Sequence, residues 1–258
     1  MGQHGKHRPL VRLMRAFRRR GVLWAMAAAV ILAGQTAAAL ECRLALAMAM
    51  DVSSSVDAEE DALQRRGIAA ALIAPEVEAA FLAGPLPVAL AIYEWSGRWN
   101  QTLILDWRLI RSRADLVAAA EVVARSQRSE TRFPTALGYA LGYGAGLLDR
   151  GPECLFQTID VSGDGLNNEG FGPRVAYREF PFDGVTVNAL VVHPSDTDTA
   201  DGVAAFFRDE VLRGPGAFLE NAYGFDDFAR AMRRKLEREV KPRPMGRADT
   251  PAPRRAPG

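Results

Sequence analysis

Asp51-Val52-Ser53-Ser54-Ser55 places one carboxylate and two hydroxyls at alternate positions, directly after a run of apolar residues. Alternate residues of a tight loop can point the same way, so the oxygens of Asp51, Ser53 and Ser55 can converge on one point. Hard divalent cations take oxygen donors in octahedral array and keep some water. One carboxylate with several hydroxyls meets that demand with little negative charge, which leaves the ion electrophilic enough to accept a further anion. Mg²⁺ fits this best, with Mn²⁺ or Ca²⁺ as alternatives. The same three residues also suit an N-cap cluster ahead of a helix. Two further segments carry related oxygens. Thr135, in Phe133-Pro134-Thr135-Ala136-Leu137-Gly138, opens a predicted helix, where threonine also serves as a cap. Asp164, in Ile159-Asp160-Val161-Ser162-Gly163-Asp164-Gly165, leaves a buried run between glycines, which turn chemistry also explains.

Nucleophilic and phosphate chemistries find less to work with. The one histidine beyond residue 39 is His193, and no G-x-S-x-G elbow occurs, so a Ser–His–Asp triad would need His193 beside Ser53 or Ser55. Beyond residue 39 the lysines are Lys235 and Lys241, neither in a Walker-type loop, and Ser53 stands where a D-x-D phosphotransferase needs its second acid. Metal-assisted hydrolysis of a phosphate or ester remains the enzymatic alternative to binding.

Strand-like and helix-like stretches alternate around these residues. Arg43 to Met50 is continuously apolar after its first residue, as a strand buried on both faces must be. A helix follows over 57–73 with acids in its first turn, favourable to the dipole. Val88–Trp95 and Thr102–Trp107 read as strands joined through Ser96-Gly97-Arg98-Trp99-Asn100, and 113–125 and 135–148 as helices. Strands over 155–161, 185–192 and 218–222 follow, with helices near 201–212 and 226–239. The alternation predicts an α/β fold, a doubly wound and mostly parallel six-stranded sheet with helices on both faces and its ligand site at the carboxyl ends of the strands. Gly138, Gly142 and Gly146 leave one helix face bare, as close packing on the sheet requires, and lack dinucleotide-loop spacing. Asp160 reads as a buried, hydrogen-bonded acid. Trp95, Trp99 and Trp107 read as core or edge packing, and Asn167, Asn168 and Glu169 as loop polarity or a rim to the site.

Taken in order at the ends of the right strands, Asp51-x-Ser53-x-Ser55, Thr135 and Ser162-Gly163-Asp164-Gly165 resemble the von Willebrand factor A (vWA) superfamily and its metal ion-dependent adhesion site (MIDAS), over roughly residues 43–240. With Asn167-Asn168 following, the pattern is most similar to a subgroup of secreted bacterial proteins of unknown function. The resemblance implies that Ser53 and Ser55 ligate the cation directly and that Thr135 joins them when ligand binds. It implies that Asp51 and Asp164 act directly or through water, and that a Glu or Asp of a protein partner fills the remaining position. Ser54 and Arg132-Phe133-Pro134 stand where the family often has glycine. On this reading the chain is a binding module and not an enzyme; a structural domain with a vestigial site is the third possibility.

Residues 1–39 carry seven Lys or Arg and no acid, an apolar run from Val22 to Ala33, and small residues ending Ala37-Ala38-Ala39. That is the layout of a secretory signal, too short in its apolar part for a membrane span, with cleavage expected after Ala39 and an uncleaved anchor as the alternative. Arg19-Arg20 leaves the twin-arginine route open beside the general one. Export to the periplasm or beyond follows. The whole chain balances 32 basic against 31 acidic residues, but residues 40–240 hold 20 against 30. An acidic body argues against nucleic acid, whose binding rests on neutralising phosphates. Residues 241–258, rich in Pro and Arg, read as a disordered tail. Cys42 and Cys154 each precede a strand-exit acid by nine or ten residues; if their strands are parallel neighbours, a bridge between them is within reach. Two unpaired buried thiols are the alternative.

Overall fold

A computed structural model describes residues 40–193 and 197–242, the backbone alone over 197–201. The signal segment and nearly all of the tail expected above lie outside these residues. Six strands, β1 (Cys42–Asp51), β2 (Val88–Ser96), β3 (Asn100–Ile110), β4 (Cys154–Gly163), β5 (Val185–His193) and β6 (Leu219–Tyr223), form one sheet in the order β3-β2-β1-β4-β5-β6. All neighbours run parallel except β3, which turns back antiparallel on β2. The reversal follows from the three-residue link Gly97-Arg98-Trp99, which is too short for a crossover between parallel strands.

The helices are α1 (Ala58–Leu72), α2 (Pro75–Phe81), α3 (Arg113–Arg125), α4 (Leu137–Asp149), α5 (Pro173–Glu179), α6 (Thr197–Phe206, continued by one wide turn over Phe207–Val211) and α7 (Phe228–Val240). The sequence pattern did not reveal α2 and α5. Each is seven residues with proline in its first turn, too short to display a helical period, though proline there is favourable because the missing N–H has no partner to lose.

The central strand sorts its side chains by size. Leu44, Leu46, Met48 and Met50 of β1 face α1, α2, α3 and α7, while Ala45, Ala47 and Ala49 face α4, α5 and α6. Burying each large side chain contributes about 1.5–3 kcal/mol. The alanine face allows α4 to come close: a Cβ on Gly144 would stand 2.6 Å from Tyr93 Oη and 2.9 Å from Ile159 Cδ1. The bare glycine face read from the sequence points elsewhere. Gly138 and Gly142 pack on Phe171 and Phe180, and it is Gly144 that meets the sheet.

Cys42 and Cys154 sit opposite each other in the β1–β4 register, Cα atoms 4.6 Å apart, and form a disulfide. It closes a loop of 112 residues at the amino end of the sheet, worth typically about 2–4 kcal/mol by limiting the unfolded chain. The opposite end of the sheet is free for chemistry.

Candidate metal centre

β1 ends at Asp51 and the chain turns at once through Val52–Val56 before α1. Asp57, not either serine, caps that helix. Its Oδ1 accepts from Glu59 N (2.8 Å) and Glu60 N (2.9 Å), and Glu60 Oε2 accepts from Asp57 N (2.8 Å), a complete capping box. Ser53 and Ser55 are therefore released from capping. Thr135 is released in the same way, because α4 begins two residues later at Leu137 with Ala136 as its cap.

The freed oxygens meet. Thr135 Oγ1 lies 3.3 Å from Ser53 Oγ, Ser53 Oγ lies 3.2 Å from Ser55 Oγ, and Ser55 Oγ donates to Asp164 Oδ1 at 2.9 Å. Asp51, 1 % exposed, uses Oδ1 to accept from Ser53 N at 2.7 Å. Its Oδ2 is buried without a hydrogen-bond partner among the described residues. Gly163 permits this arrangement, since a Cβ there would stand 3.2 Å from Asp51 Oδ2 and 3.1 Å from Phe207 Cζ. Asp51, Ser53, Ser55, Thr135 and Asp164 thus come together from three separate loops at the carboxyl end of the sheet.

Burial pushes the Asp51 carboxyl up to about 8, and the Asp164 charge adds to the rise. Burial also raises Asp164, against the hydrogen bond from Ser55. Two carboxyls held above their ordinary range beside an unpartnered oxygen call for a positive charge. A small divalent cation fits the donor set, which offers two carboxylates and three hydroxyls with no nitrogen or sulfur. Hard cations prefer such oxygens, whereas softer metals seek imidazole or thiolate.

The sequence did not reveal what holds these loops. Asn168 accepts from Thr135 N with Oδ1 (2.9 Å) and donates its own N–H to Thr135 O (3.0 Å), and Glu169 N donates to the same oxygen (3.1 Å). Gln64 Nε2 donates to Asp51 O at 3.1 Å, and Arg128 donates to carbonyls on both sides of the serines. Asn167-Asn168 was visible as a neighbour of the motif; nothing in the pattern marked Gln64 or Arg128.

Ser55 and Asp164 border an open cavity of about 650 Å³, shared with Asp57, Glu59, Glu60, Asp226 and His193. His193 Nε2 lies 2.8 Å from Asn221 Oδ1 and its ring stacks on Tyr223, so it is engaged away from the serines. Trp95 is core and Trp107 is half-buried, but Trp99 is 89 % exposed at the β2–β3 turn, its ring centre 6.4 Å from that of Tyr139 in an edge-on arrangement. That placement corrects the packing role read for Trp99 from sequence: the turn projects it past the end of the sheet.

Residues 41–244 match a family model described as "Protein of unknown function (DUF1194)". No curated protein matches the chain. Among solved structures, the chain is similar to proximal thread matrix protein 1 from the mussel byssus, in a form with a zinc-occupied MIDAS motif; identity is 14 %, coverage 78 % of this chain and 48 % of that one, and the TM-score 0.53. The pilus adhesin SpaC of Lactobacillus rhamnosus GG is also similar, at 12 % identity, 77 % and 31 % coverage and a TM-score of 0.54. So is the von Willebrand factor type A structure from Catenulispora acidiphila, at 16 %, 77 % and 43 %, and 0.50. The chain spans about half the length of these structures or less. At such identities the likeness establishes the fold, which is the vWA fold with its six-stranded, mostly parallel sheet.

Proposed function

The chain belongs to the DUF1194 family, and from its fold and its strand-end cluster we propose that it is an exported binding module. It holds a divalent cation, Mg²⁺ foremost, through Asp51, Ser53, Ser55, Thr135 and Asp164, and engages an acidic side chain of a protein partner there. The observation that carries this reading is the continuous run Thr135–Ser53–Ser55–Asp164 beside the unpartnered Oδ2 of buried Asp51. Buried polar atoms are almost always paired, and a carboxylate oxygen left alone among hydroxyls is complementary to a cation. The mussel neighbour, whose MIDAS motif holds zinc, and the adhesin neighbour support a role in attachment over one in catalysis. The basic and apolar layout of residues 1–39 and the Cys42–Cys154 bridge both fit an exported protein.

Each residue has a distinct task. Asp51 supplies the buried charge and, by accepting from Ser53 N, shapes the loop. Ser53 and Ser55 supply neutral oxygens that keep the total charge low. Thr135 closes the cluster from the loop before α4, and Asp164 from the exit of β4. When bound, the cation supplies an electrophilic position for a carboxylate oxygen of the partner.

Thermal unfolding of the full chain with Mg²⁺ or Mn²⁺ against chelator tests the reading. A site filled at about 100 times its dissociation constant adds roughly 2.7 kcal/mol. The expected result is a metal-dependent rise in Tm for wild type and none for Asp51→Ala. No rise at millimolar metal, repeated with glutamate added to supply the missing carboxylate, sinks the metal reading.

A further inference from the structure

We propose that Arg128 is the positioning residue of this centre: its guanidinium locks the peptide planes on either side of Ser53 and so fixes where the Ser53 hydroxyl and the Asp51 carboxylate point. The inference rests on the metal-binding reading above. Arg128 Nη2 donates to Val52 O at 2.6 Å and to Ser53 O at 2.7 Å, Nη1 donates to Val56 O at 2.6 Å, and Nε donates to Glu130 O at 2.7 Å. Every one of these acceptors is a backbone carbonyl, and among the described residues Arg128 makes no ion pair.

The trans peptide makes these contacts decisive. Its C=O and N–H point in opposite directions within one rigid plane. In the Val52–Ser53 unit the carbonyl faces Arg128, so the N–H of Ser53 faces the other way, and there it meets Asp51 Oδ1 at 2.7 Å. In the Ser53–Ser54 unit the carbonyl again faces Arg128, and the N–H of Ser54 donates to Phe133 O at 2.8 Å. Both planes flanking Ser53 are thus held at both ends. With the planes fixed, the backbone of Ser53 is fixed, and its Oγ stays between Ser55 and Thr135. The same contacts turn two carbonyl oxygens away from the cluster, which keeps the donor set one of hydroxyls and carboxylates.

Arg128 is itself anchored. Glu94 on β2 accepts from Ser129 N with Oε1 (2.7 Å) and from Arg65 Nη2 with Oε2 (2.6 Å), and Arg65 Nη1 donates to Ser126 Oγ (2.6 Å). Arg65 and Glu94 are buried, so residues 126–129 are tied to the core of the domain and not to a mobile surface. A planar fork is needed to reach four carbonyls at once, which lysine, a point donor on a flexible stem, does not supply.

Titration of the full chain with Mn²⁺ by calorimetry, in wild type, Arg128→Ala and Arg128→Lys, tests the role. Residues that orient ligands from behind typically alter metal affinity by about 10–100-fold when removed. Arg128→Ala is expected to lose affinity in that range and to recover part of it in millimolar guanidinium, while Asp51→Ala recovers none. Arg128→Lys is expected to fall between wild type and Arg128→Ala. If Arg128→Ala does not fold, the lysine variant carries the test, and wild-type affinity in a folded Arg128→Lys overturns the inference. A variant that loses Tm in chelator but keeps the wild-type dissociation constant also overturns it, because the contact is then merely structural. If wild type takes up no Mn²⁺, the metal reading falls and this inference falls with it; if wild type binds and the variants bind equally, only this inference falls.

Discussion

Strand β4 and its exit carry two acids four residues apart, and the chain treats them in opposite ways. Asp160 lies within the sheet and faces α7, where Lys235 Nζ stands 2.5 Å from its Oδ1, close enough for an ion pair though not aligned as a hydrogen bond. Lys235 also reaches Glu239 Oε2 at 3.0 Å, Asn188 Nδ2 donates to Glu239 Oε1 at 2.6 Å, and Asn188 Oδ1 accepts from Phe218 N at 3.0 Å. Asp164 lies just beyond the strand among hydroxyls, beside an Asp51 whose second oxygen has no partner among the described residues. In the first cluster the cation is a lysine of the same chain; in the second no ion pair forms among the described residues, and the Arg128 charge favours the ionised Asp51 only without contact. A buried acid whose counter-charge is absent marks a place for a ligand, whereas one answered by a neighbouring lysine marks a structural joint.

The largest test of this contrast removes the internal cation. Burial alone would lower the Lys235 pKa, but the charges of Asp160 and Glu239 reverse that and hold it above its ordinary value. Burial first, then the Glu239 charge, hold Asp160 well above its own, against the pull of Lys235. Lys235→Met leaves two buried acids without their cation, and breaking such a cluster costs about 3–5 kcal/mol. Urea unfolding in chelator should show that loss, while the dissociation constant for Mn²⁺ in the folded variant stays at the wild-type value. A variant of wild-type stability that has lost metal binding would reverse the assignment of the two clusters.

What was legible in the sequence divides along the same line. The strand-end loop announces itself because it combines unusual residues with a local spacing: Asp51, Ser53 and Ser55 follow a strand long enough to be read from its apolar run, and Asp164 leaves a second such strand, whereas Thr135 was read as opening a helix that begins two residues later. The disulfide followed from the matched distances of Cys42 and Cys154 to the acids at their strand ends. Lys235 gave no such signal, since a lysine in a helix rich in arginine and glutamate reads as solvated. Only the tertiary register of Asp160 and Asn188 on neighbouring strands shows that it points inward. Arg128 was hidden for a related reason: its partners are carbonyls, which every residue has. The short helices α2 and α5, and the exposure of Trp99, depend on turns and on where the sheet ends, which periodicity does not report.

A smaller effect separates the two clusters by the sign of a substitution. Asp51→Asn removes a buried charge that has no ion-pair partner among the described residues and whose Oδ2 is unpartnered there, and an unsatisfied buried group costs about 1–3 kcal/mol. In chelator at pH 9, where the wild-type acids are most ionised, Asp51→Asn should unfold at a higher urea concentration than wild type, by about 1–2 kcal/mol. The same variant should show no Tm response to Mg²⁺. A gain in metal-free stability joined to a loss of metal response is the trade-off expected where function keeps a site strained. Destabilisation in chelator would instead place Asp51 with Asp160 among the structural acids.

The effect that is smallest for any one step of pH is a slope, and its sign follows from the direction of the shifts. The Asp51 carboxyl stands at about 8 in the folded protein, above its ordinary value of 3.8, and Asp164 is raised as well. An acid raised on folding contributes stability that is fully present below the unfolded value and is lost as pH rises through the folded one. In chelator, therefore, wild-type stability should decline between about pH 4 and pH 8. The ceiling is about 1.4 kcal/mol per pH unit for each proton taken up on folding, and the observed slope should stay below it because the two carboxyls titrate together. Saturating Mg²⁺ takes the place of the proton, so metal should flatten the decline, and metal uptake near pH 6 should release protons to the buffer. Asp160 is raised in the same direction but answers to Lys235, so its share of the slope should persist with metal present and in Asp51→Asn. Measuring Tm from pH 5 to pH 9 in chelator and in Mg²⁺ separates the shares. If Mg²⁺ leaves the wild-type slope unchanged, the acids at the end of β1 and β4 are not exchanging a proton for a cation, and the distinction between an open and a closed cluster fails.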